Sequence, residues 1–117
     1  MSESQDNTIA PQDFGEFAEL HDKAAHAVEL LKAMANEWRL MILCQLAEGE
    51  KTVSELQTKL GLSQSALSQH LAVLRREKIV TARKEAQSVF YSLAGEEAPK
   101  VMESLHDVFC GAGDAKS

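Results

Sequence analysis

The chain has 117 residues, a length that fits one domain and leaves little room for a second. Hydrophobic residues make up 44% and charged residues 26%, values that argue against a disordered or fibrous protein. No apolar run approaches the roughly 20 residues that span a bilayer, and the N-terminal MSESQDNTIAPQD lacks the segments of a signal peptide. We therefore expect a cytoplasmic protein without a membrane partner, whose two cysteines stay reduced unless they serve chemistry.

The net charge of -6 is distributed unevenly along the chain. Residues 1–29 carry a net charge of -6 and residues 92–117 carry -3, whereas residues 63–91 have five basic and two acidic side chains. A locally basic segment can bind phosphates even in an acidic protein, and the acidic remainder weakens non-specific affinity for DNA. The middle of the chain is therefore the part best suited to nucleic acid.

Two helices are predicted in the first part of the chain. Residues 1–12 are polar and aperiodic, which predicts a disordered lead. From Asp13 onward the apolar residues have the 3-4-3-4-3 spacing of a helix that pairs with another helix: Phe17, Leu20, Ala24, Ala27, Leu31 and Met34. Asn36 is a good N-cap for a second helix, from Glu37 to about Ala47. This helix is apolar nearly all round, so we expect it to be buried on every side.

Two shorter helices follow. Thr52 and Glu55 have the spacing of a capping box, which opens a short helix that ends before Gly61. Gly61 supplies the left-handed residue at which the chain turns. Ser63 then caps a helix over about residues 64–77, and the helix pair with its short turn is the signature of a helix-turn-helix.

The rest of the chain predicts a β-hairpin and a last helix. The β-rich runs 79–83 and 88–93 form the hairpin. Pro99 lies near the first turn of the last helix, whose apolar face consists of Val101, Leu105, Val108 and Phe109. We therefore predict one mainly α domain over residues 13–111, in the order α-α-α-α-β-β-α, and a disordered tail over residues 112–117.

The fourth helix divides into an apolar and a polar side. Leu67, Leu71 and Leu74 are spaced to pack inward. The opposite side carries small, amide and basic side chains: Gln64, Ser65, Ser68, Gln69, Ala72, Arg75 and Arg76. Gln and Ser near the start of such a helix suit base reading in the major groove, and the two arginines suit phosphates. This helix is therefore the candidate recognition helix.

The hairpin and a boundary histidine complete the expected DNA-binding set. Arg83 and Lys84, with Gln87 in the turn, would make the hairpin a wing that contacts the DNA backbone or the minor groove. His70 lies at the edge of the apolar face, where a donor to backbone or phosphate is favoured over a metal ligand. The alternative is a merely solvated polar face beside a purely structural hairpin. The capped helix pair, the divided face and the basic hairpin together favour DNA binding.

Residues 63–75, SQSALSQHLAVLR, followed by the Phe90-Tyr91-Ser92-Leu93 end of the hairpin, resemble the ArsR/SmtB family of winged-helix repressors over about residues 25–110. The resemblance implies a winged helix-turn-helix, a homodimer formed through the first and last helices, two-fold symmetric operator DNA and repression that an inducer relieves. One departure is the wing turn, often Arg-Glu-Gly-Arg in the family and here Lys84-Glu85-Ala86-Gln87. Ala86 lacks the freedom of glycine at positive φ, and Gln87 removes one charge.

Many members of this family sense metals, but the family's metal motifs are missing from this chain. The thiolate motif Cys-x-Cys before the recognition helix corresponds to residues 52–56, which contain no cysteine. The last-helix motif needs Asp-x-His and a second pair, and this helix offers only His106 and Asp107 in the wrong order. We therefore expect neither a metal nor another cofactor. No histidine–carboxylate arrangement near a cysteine is recognisable, which argues against a thiol enzyme or sulfur carrier.

Cys44 and Cys110 remain as candidate sensing residues. Taken alone, Cys44 in its apolar helix is expected to be a small buried hydrophobe, and Cys110 at the end of the last helix to be more exposed and reactive. The pair resembles the persulfide-sensing branch of the family, of the BigR, SqrR and YgaV type. That resemblance implies a low-molecular-weight persulfide as inducer and a polysulfide bridge that releases the operator of sulfide-detoxification genes. HlyU-like regulators have a similar pair, so a sensor of peroxide or another oxidant through the same cysteines is the alternative, and an interaction protein that senses nothing is a third.

Overall fold

The computed structural model describes the backbone of residues 11–110 and the side chains of residues 16–110. Within this range the chain forms five helices and three strands: α1 (Pro11–Met34), α2 (Glu37–Ala47), β1 (Lys51–Thr52), α3 (Val53–Leu60), α4 (Gln64–Arg76), β2 (Val80–Glu85), β3 (Ser88–Leu93) and α5 (Glu97–Phe109). The predicted mainly α winged helix-turn-helix is confirmed, with one short additional strand, β1. None of the helices in the described range is long and apolar enough to cross a membrane.

The observed boundaries differ from the predicted ones by a few residues. Helix α1 begins at Pro11, two residues before the expected start at Asp13, because proline fits the first position of a helix. Residues 1–10 and 111–117, which hold most of the predicted lead and all of the predicted tail, lie outside the described residues. Strand β2 is shifted toward the hairpin turn, which consists of Ala86 and Gln87.

Local side-chain caps begin the helices as predicted. Asn36 and Ser63 each accept a backbone N–H from the first turn of α2 and α4, at 3.0 and 3.1 Å. Thr52 and Glu55 form the reciprocal capping box: the Thr52 N–H donates to the Glu55 carboxylate at 2.7 Å and the Glu55 N–H to the Thr52 hydroxyl at 3.1 Å. Gly61 ends α3 with φ at 71°. The chain direction from α3 into α4 therefore follows from local chemistry.

Two residues with side chains occupy left-handed backbone positions. Lys78 has φ at 63° and follows α4 in a Schellman arrangement, in which its N–H donates to the Arg75 carbonyl and the Ile79 N–H to the Leu74 carbonyl, both at 2.9 Å. Ala86 has φ at 58° in the hairpin turn. Both positions favour glycine, so backbone strain is stored at the end of α4 and in the hairpin turn of the wing.

The sheet is antiparallel and has the order β1-β3-β2. Strands β2 and β3 pair from Val80 with Leu93 to Glu85 with Ser88, and β1 adds Lys51 opposite Tyr91 and Thr52 opposite Phe90. Sequence reasoning missed β1 because two residues carry no alternating pattern. Its position places the segment between α2 and α3 beside the wing.

The core lies where α2, α3 and α4 meet the base of the wing, and it includes Ile42, Leu56, Leu67 and Leu74. The prediction that α2 is buried on every side is wrong. Its Ile42–Leu43–Leu46 side is buried, but Trp38, Met41 and Cys44 are exposed because no other part of the described chain covers them. Apolar residues are also exposed on α1, including Phe17 and Leu20, and at the end of α5, where Val108 and Phe109 are 73% and 79% exposed.

Candidate DNA interface and cysteine groove

Helix α4 presents the polar face that the sequence predicts. Leu67, Leu71 and Leu74 are at most 2% exposed and fix this helix on the core. The base-reading and phosphate-binding residues predicted on this polar side are all exposed: Gln64, Ser65, Ser68, Gln69, Arg75 and Arg76. The amide and hydroxyl groups occupy the N-terminal half and the basic groups the last turn, where positive charge also complements the helix dipole. The arrangement has the chemistry and the shape of a helix that enters a major groove.

His70 lies half-buried at the edge of this face. The Arg39 guanidinium on α2 faces it, with 3.5 Å between Arg39 Nη1 and His70 Nδ1. Burial first, and the neighbouring Arg39 charge second, lower the pKa of His70 below its usual range. Both causes favour the neutral imidazole.

Arg83, predicted as a DNA contact, is exposed but is engaged by other side chains of the same chain. Its guanidinium donates to both carboxylate oxygens of Glu50, at 2.8 and 3.2 Å, and to Glu85 at 2.5 Å. It also lies over the ring of Phe90, 4.6 Å from the centroid. These contacts assign Arg83 a role in holding the wing on the segment before β1. Sequence reasoning missed Glu50 because the pairing of β1 brings it here.

The other two predicted wing contacts, Lys84 and Gln87, are not engaged in this way. Lys84 and Gln87 are exposed, and Lys84 forms no ion pair with any residue in the described part of the chain. The positive charge nearest the hairpin turn is therefore Lys84, beside an arginine that two carboxylates neutralise.

Cys44 and Cys110 line one apolar groove of about 590 Å³ between α2 and α5. Its wall is formed by Leu40, Ala47, Leu93, Pro99, Met102, Leu105 and Phe109, with Glu103 and His106 at its polar side. Both cysteines are exposed. The expectation from the sequence that Cys44 alone is a buried hydrophobe is wrong, because it lies on the uncovered side of α2. The fold thus brings together two thiols that are far apart in sequence.

The environment of Cys44 favours its protonated form. Partial burial, then the neighbouring Cys110, then Glu48 raise the pKa of the Cys44 thiol above its usual 9.0. A thiol needs its thiolate form to attack sulfur, so this environment slows attack by Cys44. Across residues 16–110, no group of three or more His, Cys, Asp and Glu side chains is placed to hold a metal ion.

Comparisons with known proteins agree with this fold. The family model described as bacterial regulatory protein, arsR family, matches residues 36–82. The chain is 56% identical to the transcriptional activator HlyU of Vibrio cholerae over 94 residues, 80% of this chain and 87% of that one. It is 43% identical to the biofilm growth-associated repressor of Agrobacterium fabrum over 102 residues, 86% of this chain and 87% of the relative.

Solved structures extend the agreement to the backbone. The structure of reduced HlyU from Vibrio cholerae N16961 has a TM-score of 0.76 at 56% sequence identity, and the match covers 79% of this chain and 97% of that one. The relatives are transcriptional regulators and not enzymes. With this degree of identity across most of both chains, the protein belongs to the ArsR family of winged helix-turn-helix transcriptional regulators.

Proposed function

We propose that the protein is a cytoplasmic, homodimeric repressor that binds operator DNA and releases it after its two cysteines react with a low-molecular-weight persulfide. The observation that carries the sensing step is the shared apolar groove of Cys44 and Cys110. The exposed polar face of α4 supports the DNA-binding step. We further propose that the regulated genes serve sulfide detoxification.

The exposed apolar residues support the homodimer. Phe17, Leu20 and Leu31 on α1 and Val108 and Phe109 on α5 are exposed in the single chain. Apolar faces of this kind on a water-soluble chain mark an interface. A two-fold dimer through α1 and α5 would place two copies of α4 on one face, about one helical turn of DNA apart.

The proposed chemistry conserves atoms and electrons. A cysteine thiolate attacks the outer sulfur of a persulfide RSSH, forms a Cys–S–SH group and releases the thiol RSH. Cys110, exposed at the end of α5, reacts first, because the raised pKa of Cys44 disfavours the Cys44 thiolate. After Cys44 has reacted in the same way, the terminal sulfur of one persulfide attacks the inner sulfur of the other. A trisulfide forms and hydrogen sulfide leaves, so two persulfides give two thiols and one hydrogen sulfide.

Bridge length provides selectivity between persulfides and oxidants. A plain disulfide needs its two Cα atoms within about 7 Å, whereas each inserted sulfur lengthens the bridge. The groove between α2 and α5 provides room for the inserted sulfur. An oxidant such as peroxide would instead form a sulfenic acid and then a disulfide, which needs the shorter separation.

Bridging would transmit strain to both ends of the regulator. Cys110 directly follows Phe109, which belongs to the exposed apolar surface proposed for dimerisation. Cys44 lies on α2, which packs against α4. A covalent link between them therefore shifts the recognition helices relative to the dimer surface. The shifted arrangement fits the operator less well, so operator affinity falls.

Intact-mass measurement of the reduced protein tests the proposal. Glutathione persulfide should add one sulfur atom and remove two hydrogens, with the bridge mapped to Cys44 and Cys110, and should release operator DNA. Cys44→Ser and Cys110→Ser should each bind DNA normally and keep binding it after treatment. Loss of two hydrogens with hydrogen peroxide, together with DNA release, would instead establish the oxidant sensor. Persulfide-driven release that survives both substitutions contradicts the dithiol mechanism.

A further inference from the structure

Arg39 in the first turn of α2 lies at the junction of three helices. Its Nε donates to the Ala33 carbonyl at 2.5 Å and its Nη2 to the Lys32 carbonyl at 3.4 Å, both in the last turn of α1. Its Nη1 faces His70 Nδ1 on α4 at 3.5 Å. One half-buried side chain therefore joins the end of α1 to the recognition helix.

The chemistry of the guanidinium determines how His70 takes part in this junction. Arginine keeps its charge at any physiological pH and offers only donors. The histidine nitrogen that faces it must therefore accept, which leaves Nδ1 without a proton. A neutral imidazole carries one proton, and that proton is then on Nε2.

The last-turn carbonyls of α1 explain why this residue is an arginine. The final carbonyls of a helix have no partner within the helix, and Lys32 and Ala33 belong to this group. A planar fork with several donors can satisfy these carbonyls and face His70 in a fixed direction, whereas a lysine ammonium is a single point charge. The contact thus sets a direction between α1 and α4 as well as a distance.

We propose that Arg39 is a positioning residue for operator recognition, which holds α4 at a fixed angle to α1 through the α1 carbonyls and the Nε2–H tautomer of His70. The inference rests on the proposed function, because α1 belongs to the proposed dimer surface. In such a dimer, the angle between α1 and α4 sets the separation of the two recognition helices. Arg39 then determines which spacing between DNA half-sites the dimer prefers.

The first test is nuclear magnetic resonance of the ¹⁵N-labelled wild-type protein, with the His70 signals assigned by their loss in His70→Gln. At a pH where His70 is neutral, we expect the proton on Nε2. A proton on Nδ1 overturns the inference. This readout needs no folded Arg39 variant.

The second test uses a palindromic duplex selected from a random library by the wild-type protein, and copies with the half-sites one base pair closer or farther apart. The preference is the ratio of the affinity for the selected spacing to the affinity for an altered spacing. We expect Arg39→Lys and Arg39→Gln to reduce this ratio by about tenfold, the factor expected for one charge-assisted hydrogen bond. Lys32→Gln is the matched control, because Lys32 reaches this junction only through its backbone carbonyl, and its exposed ammonium faces Glu29 on α1. Arg39 variants that keep the full spacing preference overturn the inference. A wild-type protein that is monomeric or ignores spacing contradicts the proposed function instead.

Discussion

The guanidinium of Arg83 and the carboxylate of Glu50 form a two-pronged ion pair across the sheet, with donor–acceptor distances of 2.8 and 3.2 Å. The Arg83 side chain crosses the ring of Phe90 on the intervening strand to reach it. The hydrogen bonds from Arg83 lower the pKa of Glu50, because they favour its charged form. If the wing contacts DNA as predicted, the Glu50 carboxylate would compete with phosphate for Arg83.

Glu50→Gln should therefore strengthen DNA binding. The substitution removes a negative charge beside the wing and frees part of the Arg83 guanidinium for phosphate. We expect about three- to tenfold tighter binding at about 0.1 M salt, with a steeper salt dependence. Fluorescence anisotropy over a salt series measures both. Glu19→Gln, which removes the same charge from exposed α1, is the control. An equal gain in both variants would indicate a general effect of net charge.

Lys84 and Arg83 should separate into two roles. Lys84→Gln should weaken binding to all DNA sequences and reduce the slope of log K against log salt by about 0.9 for each wing that touches a phosphate. Arg83→Gln should change this slope less and should lower the free energy of unfolding, because it breaks the contacts with Glu50 and Phe90. Anisotropy titrations over a salt series measure the slope, and urea denaturation measures the free energy of unfolding. A larger loss of slope for Arg83→Gln would restore it as the main wing contact.

Glycine should stabilise the protein at its two left-handed positions. Lys78→Gly and Ala86→Gly should each raise the free energy of unfolding by about 1 kcal/mol, because the positive φ disfavours any side chain with a Cβ. Ala72→Gly, in the exposed middle of α4, should lower it by about 1 kcal/mol. Urea denaturation of the three variants compares the signs. If Ala86→Gly is as destabilising as Ala72→Gly, the strain assigned to the hairpin turn is absent.

The stability of the protein should fall on acidification partly because of His70. Its pKa in the folded state is lowered from the usual 6.5, first by burial and then by Arg39. The unfolded chain then binds the proton more readily, so the free energy of unfolding decreases as the pH falls below 6.5 toward the folded-state pKa. At higher pH the imidazole is neutral in both the folded and the unfolded state, so His70 no longer lowers the free energy of unfolding.

His70→Gln should flatten this part of the pH profile, measured by urea denaturation between about pH 5 and 8. His21→Gln, which removes an exposed imidazole from α1, is the matched control. Equal profiles for the His70 variant and the wild type would mean that His70 does not contribute.

Glu48 should slow the reaction of Cys44 with electrophiles. Its charge is one of the causes that raise the Cys44 pKa, after burial and Cys110. In a Cys110→Ser background, Glu48→Gln should increase the rate of alkylation of Cys44 by iodoacetamide at neutral pH by roughly twofold. Glu103→Gln changes a carboxylate that lines the same groove and is the control. Identical alkylation rates for the two variants would mean that the Glu48 charge has no specific effect on Cys44.

The sequence predicted well those features that depend on neighbouring residues. The capping residues Asn36, Thr52 and Ser63 act within one turn of the chain, and the division of α4 into two faces follows from helical spacing. A pattern in a short window is sufficient for such features. The candidate recognition helix was therefore identified with its orientation.

Features that depend on distant pairing were missed. Glu50 meets Arg83 across 33 residues through a strand only two residues long, so no local pattern indicates the contact. An arginine within an apolar helix likewise gives no sign that its partners are two carbonyls of α1 and a histidine of α4. The exposure of Cys44 was missed because an apolar helix gives the same pattern whether its own chain covers it or not.

The segment Glu50–Lys51–Thr52 makes a separate attachment at each residue. Glu50 holds the wing, Lys51 donates to the Gln45 carbonyl at the end of α2 at 3.2 Å, and Thr52 caps α3. Successive residues along a strand alternate in direction, so inserting or deleting one residue would misdirect all three at once. This connection consequently tolerates changes in composition better than changes in length. Its length constrains how the regulator can diversify, although it lies outside both the recognition helix and the cysteine groove.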